Sequence, residues 1–367
     1  DQIGDYQYLD SWSSSTFPYG GQSGLSPARA FNPNFSWETN RKLDISLELG
    51  FLKDRVSLIT SYYNNRSDDQ LVGQTLSPQS GFSSYTSNFP ALVENKGLEF
   101  DLNTQNIKKK NFTWNTAFNI SFPGNKLLRY DNLASSGDAS GYEVGKSTRI
   151  IKGFKFTGVN PNTGVPEFLD VNRDGLINSA GDWVVLGQTL PKFFGGLSNE
   201  FKYKNLSLDI FFQFVKQEAP TIDWGPLAGA YGGMSNKSTA VLDRWRNPGD
   251  ITSIPRATVT STNAANIAFR NFYRSSDAVW GDASYLRLKN VSLRYDLSSL
   301  TKRWKIAASS IYIQGQNLLT FTKYNGLDPE INGFDRRFVF PINPFGSVKT
   351  SAMPVLRTIA VGLNISI

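Results

Sequence analysis

Neither cysteine nor histidine occurs among the 367 residues. Thiolate metal sites, disulfides, cysteine nucleophiles and the usual general base are therefore all excluded. The stretch Asp170-Val171-Asn172-Arg173-Asp174-Gly175 carries the clearest remaining chemistry. Oxygen ligands at its first, third and fifth positions, followed by a turn glycine, suit a hard cation, calcium or magnesium, in a structural role. The closing acid of such a loop belongs at the twelfth position, where Gly181 stands; Asp182 comes one residue later. The same residues also spell an Asx-rich turn that needs no metal. Loop aromatics form a second group: Trp183, Trp224, Tyr231 and Trp280. Sugar rings and peptides pack on such faces. Trp224 and Tyr231 lie in a Gly-rich stretch and are expected to contact substrate or a covering partner. Trp280, just before a strand, reads more readily as packing within the loops. No Ser, Asp or Lys grouping marks a nucleophile, and Tyr19–Gly24 lacks the Lys-Ser/Thr and helix of a phosphate cradle. The chain is not expected to be an enzyme.

The elements that hold these residues alternate with period two. In Leu43–Phe51 every odd residue is apolar and every even one is polar or small. That is a strand with one greasy and one wet face. Lys53-Asp54 is expected to turn it into Val56, Leu58, Thr60 and Tyr62. Leu98–Leu102 and Phe112–Phe122 repeat the pattern, as do Phe201 with Tyr203, Leu206–Phe214, Tyr285–Tyr295, Ile311–Gly315 and Ile359–Ile367. In Tyr285–Tyr295 the apolar parity shifts between Leu288 and Val291, which predicts a β-bulge near Lys289-Asn290. Nine strands of about 10–12 residues result, close to the length that crosses a bilayer when tilted.

Connections alternate between short (Lys53-Asp54, Lys108–Asn111, Lys204-Asn205, Leu297–Ala307) and long (about 67–93, 123–195, 217–283, 319–353). Outer-membrane barrels alternate in this way, with short periplasmic turns and long extracellular loops. No apolar run reaches the roughly 18–20 residues of a spanning helix. Aromatic residues make up 13%, and Trp114, Tyr62-Tyr63 and Tyr203 suit interfacial girdles. The wet faces carry Glu48, Glu99, Asp101 and Asp209, which a water-filled lumen tolerates. The net charge of +7 is scattered apart from Lys108-Lys109-Lys110 and Thr301–Lys305, and nucleic-acid binding is not expected. The fold class is thus an all-β, antiparallel transmembrane β-barrel portion. Residues 1–41 are expected to be an extracellular loop segment and 42–367 barrel wall, with the C-terminus in the periplasm. Bacterial barrels have even strand numbers. Nine strands and the lack of a signal peptide therefore imply part of a longer protein, with Asp1 at a break inside an extracellular loop.

An ordered series of motifs resembles the C-terminal part of SusC/RagA-type TonB-dependent transporters of Bacteroidetes. It comprises Asn34–Thr39, Tyr62-Tyr63, Asn95–Glu99, Asn125-Lys126-Leu127, Asp170–Gly175 and Pro191–Gly196. It continues through Trp280–Val291, Asn317-Leu318, Tyr324, Asp328-Pro329-Glu330 and Gly362-Leu363-Asn364. The resemblance implies a barrel of about 22 strands with a plugged lumen. It also implies a plug and a TonB-contacting segment outside this chain, and a SusD-like surface lipoprotein as a lid. One departure is Ile367, where family members usually end in an aromatic residue. The expected function is import of an oligomeric nutrient, glycan or peptide. The alternatives are a structural or assembly subunit of a larger outer-membrane complex, and a secreted soluble β-sandwich adhesin.

Overall fold

Nine strands build one antiparallel sheet: β1 (Thr39–Phe51), β2 (Val56–Asp68), β3 (Ala91–Lys108), β4 (Phe112–Tyr130), β5 (Phe193–Tyr203), β6 (Leu206–Lys216), β7 (Tyr285–Asp296), β8 (Ala308–Thr322) and β9 (Thr358–Ser366). Each pairs with its neighbour in sequence, so the sheet is a continuous meander from β1 to β9. These are the strands that period two predicts. The computed structural model describes residues 6–14, 20–75, 78–82, 84–136, 138–221, 239–304, 306–326, 328–330 and 354–366. Among these, no helix is long and apolar enough to cross a membrane.

The apolar faces point to the surroundings. Ile45 and Leu47 of β1, Leu293 of β7, Ile313 of β8 and Val361 of β9 are all exposed. The buried apolar residues lie almost entirely in the connections and at the loop-side strand ends, among them Ile151, Phe269, Val279 and Tyr285. A soluble sandwich would turn its apolar rows toward each other. This sheet keeps them outward, as a wall solvated by lipid does.

Three features depart from the sequence expectation. The first turn spans 52–55 rather than two residues, because Leu52, Lys53 and Asp54 all take left-handed backbone (φ 55°, 59° and 60°). Several strands outrun the 10–12 residues expected: β3 has 18 residues and β4 has 19. Tyr62-Tyr63 sits in mid-strand rather than at a strand end. The long connections also carry structure of their own, including the pair Leu71–Thr75 with Ser84–Asn88 and the helix Ala264–Asn271.

The parity shift in β7 is a bulge. The register skips Lys289 opposite β6, and opposite β8 it skips Lys289 against Asn317-Leu318. Asn317 takes φ 53°, a left-handed value that Asn tolerates better than most residues. Two adjacent glycines in β5 make room for rings of β6: a Cβ on Gly195 would meet Phe214, and one on Gly196 would meet Phe211.

Two compact units are distinguished. One comprises Asp1–Asp44, Tyr63–Lys96 and Gly124–Thr148; the other Ile45–Tyr62, Gly97–Pro123 and Arg149–Ile367. Within the first, Asn125 joins two of the sequence motifs. Its Nδ2 donates to Asn95 Oδ1 (2.7 Å), and its Oδ1 accepts from the Thr148 amide (2.7 Å). Glu94, buried, pairs with Arg66 (2.9 Å) and Lys96 (3.1 Å).

Candidate functional site

In the second unit, the loop end of β7 carries a buried ionic cluster. Arg287 is on the inward face, opposite in parity to the exposed Leu286, and its side chain is 2% exposed. Its Nη2 donates to Asp328 Oδ1 (2.6 Å), its Nη1 to Glu330 Oε2, and its Nε to Thr320 Oγ1 (3.0 Å). The guanidinium lies 5.5 Å from the Tyr285 ring centre. Lys289 Nζ reaches Glu330 Oε1 at 2.7 Å. Lys289 shares the parity of Arg287, and the bulge turns Asn290 to that side as well. Asn290 Oδ1 accepts from Gln314 Nε2 (2.7 Å) on that side.

Asp328 in turn closes the base of the last long connection. Its Oδ1 accepts from the Glu330 amide (2.9 Å) and its Oδ2 from the Val355 amide (3.2 Å). Burial by itself would raise the Asp328 carboxyl; the Arg287 guanidinium and the two amides outweigh it and hold the group below its usual range. Gln217 Nε2 donates to the Pro329 carbonyl (2.6 Å) and the Tyr324 hydroxyl to the Pro220 carbonyl, tying in the preceding connection. Such a cluster holds backbone in place.

The connections 131–192 and 217–284 share a second core of Ile151, Phe269, Tyr273 and Val279, with Phe156, Phe168, Leu186 and Trp280 against it. Trp280 is thus a packing residue, and its Nε1 donates to Glu218 Oε2 at 3.3 Å. Beside it lies a cleft of about 340 Å³ lined by Lys192, Lys216, Glu218, Asp277 and Asp282. Its charges are matched: Lys192 with Glu218 (3.2 Å) and Lys216 with Asp282 (2.8 Å). Asp277 pairs with Lys155. Lys216 and Ser284 hold the Asp282 carboxyl at about 2. Trp183 stacks edge-on against Phe154, with ring centres 6.1 Å apart. Trp224 and Tyr231 lie outside the described residues.

The oxygen-rich loop binds its own backbone. Asp170 accepts from the Arg173 and Gly175 amides (2.7 and 2.8 Å), and Asp174 from the Leu176 amide (2.8 Å). Asn172 Nδ2 donates to Asp174 Oδ2 (2.8 Å). Asp182 is fully buried and accepts from the Asn178 and Val171 amides, 2.8 Å each. These bonds hold its carboxyl below the usual range. The donor set thus fits an Asx-rich turn fastened by Asp182. Among the described residues, no group of three or more Asp or Glu is placed to hold a metal ion.

The cation cluster is the part that sequence reading missed as a site. Two signals were available: Arg287 and Lys289 as neighbouring cations on one face of β7, and the acids of Asp328-Pro329-Glu330. The fold of the connection after β8 was needed to bring them together.

Comparison with known proteins agrees with this architecture. The family model described as TonB dependent receptor-like, beta-barrel matches residues 4–318. A TonB-dependent receptor of Formosa agariphila is 31% identical over 99% of this chain and 38% of its own length. The TonB-dependent receptor SusC of Bacteroides thetaiotaomicron is 25% identical over 91% of this chain and 33% of its own length. The chain therefore spans well under half of the curated relatives it matches. In fold, it is similar to the RagAB peptide importer in its "open-open" state, with a TM-score of 0.77, 23% identity, and coverage of the whole chain and 38% of that structure's chain. An outward-facing apolar meander and a sequence match over most of the chain lead to the same conclusion: this chain belongs to the TonB-dependent receptor β-barrel family.

Proposed function

We propose that this chain is part of the barrel wall of a TonB-dependent importer in a bacterial outer membrane, taking up an oligomeric nutrient, glycan or peptide. The observation that carries this is the row of exposed apolar side chains on β1, β7, β8 and β9, in a sheet whose turns alternate short and long. Lipid is the solvent that such a face needs. Two sheet edges support a larger barrel, since among the described residues β1 and β9 each have one neighbour in the sheet and an open edge is not tolerated within hydrocarbon. Further strands and a plug complete it, and TonB supplies the energy through that missing part. Residues 42–367 are wall and loops; residues 1–41 belong to the outer loops. The short turns face the periplasm, with the C-terminus, and the long connections face outward. A SusD-like surface lipoprotein covers them, and Trp224 and Tyr231 contact it or the substrate. The pinned base of the last long connection supports a fixed platform for such a lid. SusC is by its name a TonB-dependent receptor, and the RagAB structure similar in fold is by its name a peptide importer.

The test is made on the full-length receptor in its own outer membrane. Deleting its gene is expected to abolish growth on one class of oligomeric nutrient, and the receptor is expected to co-purify with a lipoprotein. Normal growth on every oligomer, together with a stable complex of other envelope proteins in place of the lipoprotein, would sink the importer reading in favour of an assembly role.

A further inference from the structure

The outward face of β3, β4 and β5 is not apolar throughout. Below Leu98, Phe100 and Leu102, β3 continues with Thr104, Asn106 and Lys108 at the same parity. Thr116 of β4 pairs with Asn199 of β5, one step above the pair of Trp114 with Phe201. These polar residues are joined head to tail. Thr104 Oγ1 donates to Asn106 Oδ1 (3.0 Å), Asn106 Nδ2 to Thr116 Oγ1 (2.7 Å), and Thr116 Oγ1 to Asn199 Oδ1 (2.7 Å). Trp114 Nε1 donates to the same Asn199 oxygen (3.0 Å). What remains at the end of this chain is N–H. The Asn199 amide nitrogen donates to no described residue, and Asn106 uses one of its two N–H groups. Unmet donors facing hydrocarbon are costly, so an acceptor from the surroundings is called for.

Cations stand directly beneath. Lys108 ends β3, one same-face step of about 7 Å below Asn106. Lys204 is in the next short turn; it borders the inward cavity beside Lys202, and its Nζ lies 5.5 Å from the centre of the exposed, outward Tyr203 ring. Neither Lys108 nor Lys204 has an ion-pair partner among the described residues. The wider charge pattern points the same way. The turns 52–55, 109–111, 204–205 and 297–307 hold eight Lys and Arg against one acid, Asp54. Their excess equals the +7 of the whole chain, so the remainder is neutral on balance. The basic charge is concentrated at one end of the wall.

We propose that this face is a binding site for an anionic glycerophospholipid of the periplasmic leaflet. Such a lipid presents a phosphate and, one glycerol unit deeper, ester carbonyls that accept but do not donate. The wall presents cations and then donors in the same order. Lys108 and Lys204 take the phosphate, Asn199 and Asn106 donate to the ester carbonyls, and Trp114 and Tyr203 fill the interfacial layer. The proposal rests on the membrane reading above, with the short turns toward the periplasm.

The full-length receptor, reconstituted in phosphatidylethanolamine vesicles with and without phosphatidylglycerol, is extracted and its retained lipids counted by native mass spectrometry. Wild type is expected to retain phosphatidylglycerol preferentially. The pair Lys108→Gln with Lys204→Gln is expected to lose about five-fold of that preference per lysine. Asn199→Leu is expected to lower retention of both lipids without changing the preference, because both carry ester carbonyls. Folding of each variant is read from the heat-dependent shift on gels, and the lysine variants lie in or next to exposed turns. A folded wild type that retains both lipids equally, or folded variants that retain phosphatidylglycerol as wild type does, would overturn the site and leave the barrel intact. A wild type with no heat-dependent shift and no need for detergent would overturn the membrane reading itself, and the site with it.

Discussion

Arg287 shows how one side chain organises the loop end of the wall. It is buried against two carboxylates, and removing one partner of a buried pair leaves the other charge unpaired. Arg287→Ala is therefore expected to cost about 3–5 kcal/mol, measured as a lower unfolding midpoint of the receptor in detergent. The effect of acid follows from Asp328, whose carboxyl lies below its usual 3.8 in the folded chain. A depressed carboxyl contributes stability that is present above the unfolded value and lost as pH falls through the folded one. Protection of the Glu330 and Val355 amides, relative to their intrinsic exchange, is expected to hold down to about pH 4 and to fall below it. Asp182 follows the same logic in the oxygen-rich loop. Asp182→Ala is expected to speed exchange at Val171 and Asn178 equally with calcium or with a chelator present. Chelator-sensitive protection in wild type would instead favour a bound calcium ion.

At the scale of elements, glycine and aromatic residues act in pairs across strands. Gly362 of β9 pairs with Tyr312 of β8, and a Cβ there would meet the Tyr312 ring at 2.4 Å. The ring covers the glycine and stiffens that stretch of the sheet. Gly362→Val is expected to cost about 1–3 kcal/mol through overpacking. Adding Tyr312→Ala should recover part of that loss, because the two residues are in contact and their effects do not add. An equilibrium unfolding cycle of the four proteins checks this. Purely additive losses would remove the pairing argument. The bulge in β7 belongs to the same scale: one extra residue puts Asn290 on the side of Arg287 and keeps Leu288, Val291 and Leu293 in one outward row.

For the whole molecule, the decisive property is which face meets lipid. Val361, outward on β9, is 69% exposed; Asn364, at opposite parity, lines an inward cavity with Lys202 and Arg294. Val361→Arg is expected to cost about 2–4 kcal/mol if it lies near the bilayer midplane, and Asn364→Arg much less. Folding yield into vesicles reads the difference. Equal losses would mean that the outward face is not solvated by hydrocarbon.

The sequence by itself determined the nine strands, their faces, their alternating connections and the bulge at Lys289. All of these follow from local rules: side chains alternate by two, and turn residues interrupt the alternation. The family was legible too, because its motifs stand in order along the chain. Tertiary structure alone decided what those motifs do. The contacts of Arg287 with Asp328, and of Asn125 with Asn95, join residues 41 and 30 positions apart. No local period encodes such a partner. The bond from Trp280 to Glu218 and the fastening of the oxygen-rich loop by Asp182 were hidden for the same reason. A residue's type gives the bonds it can make, but its neighbours across the sheet and between loops decide which of them it makes.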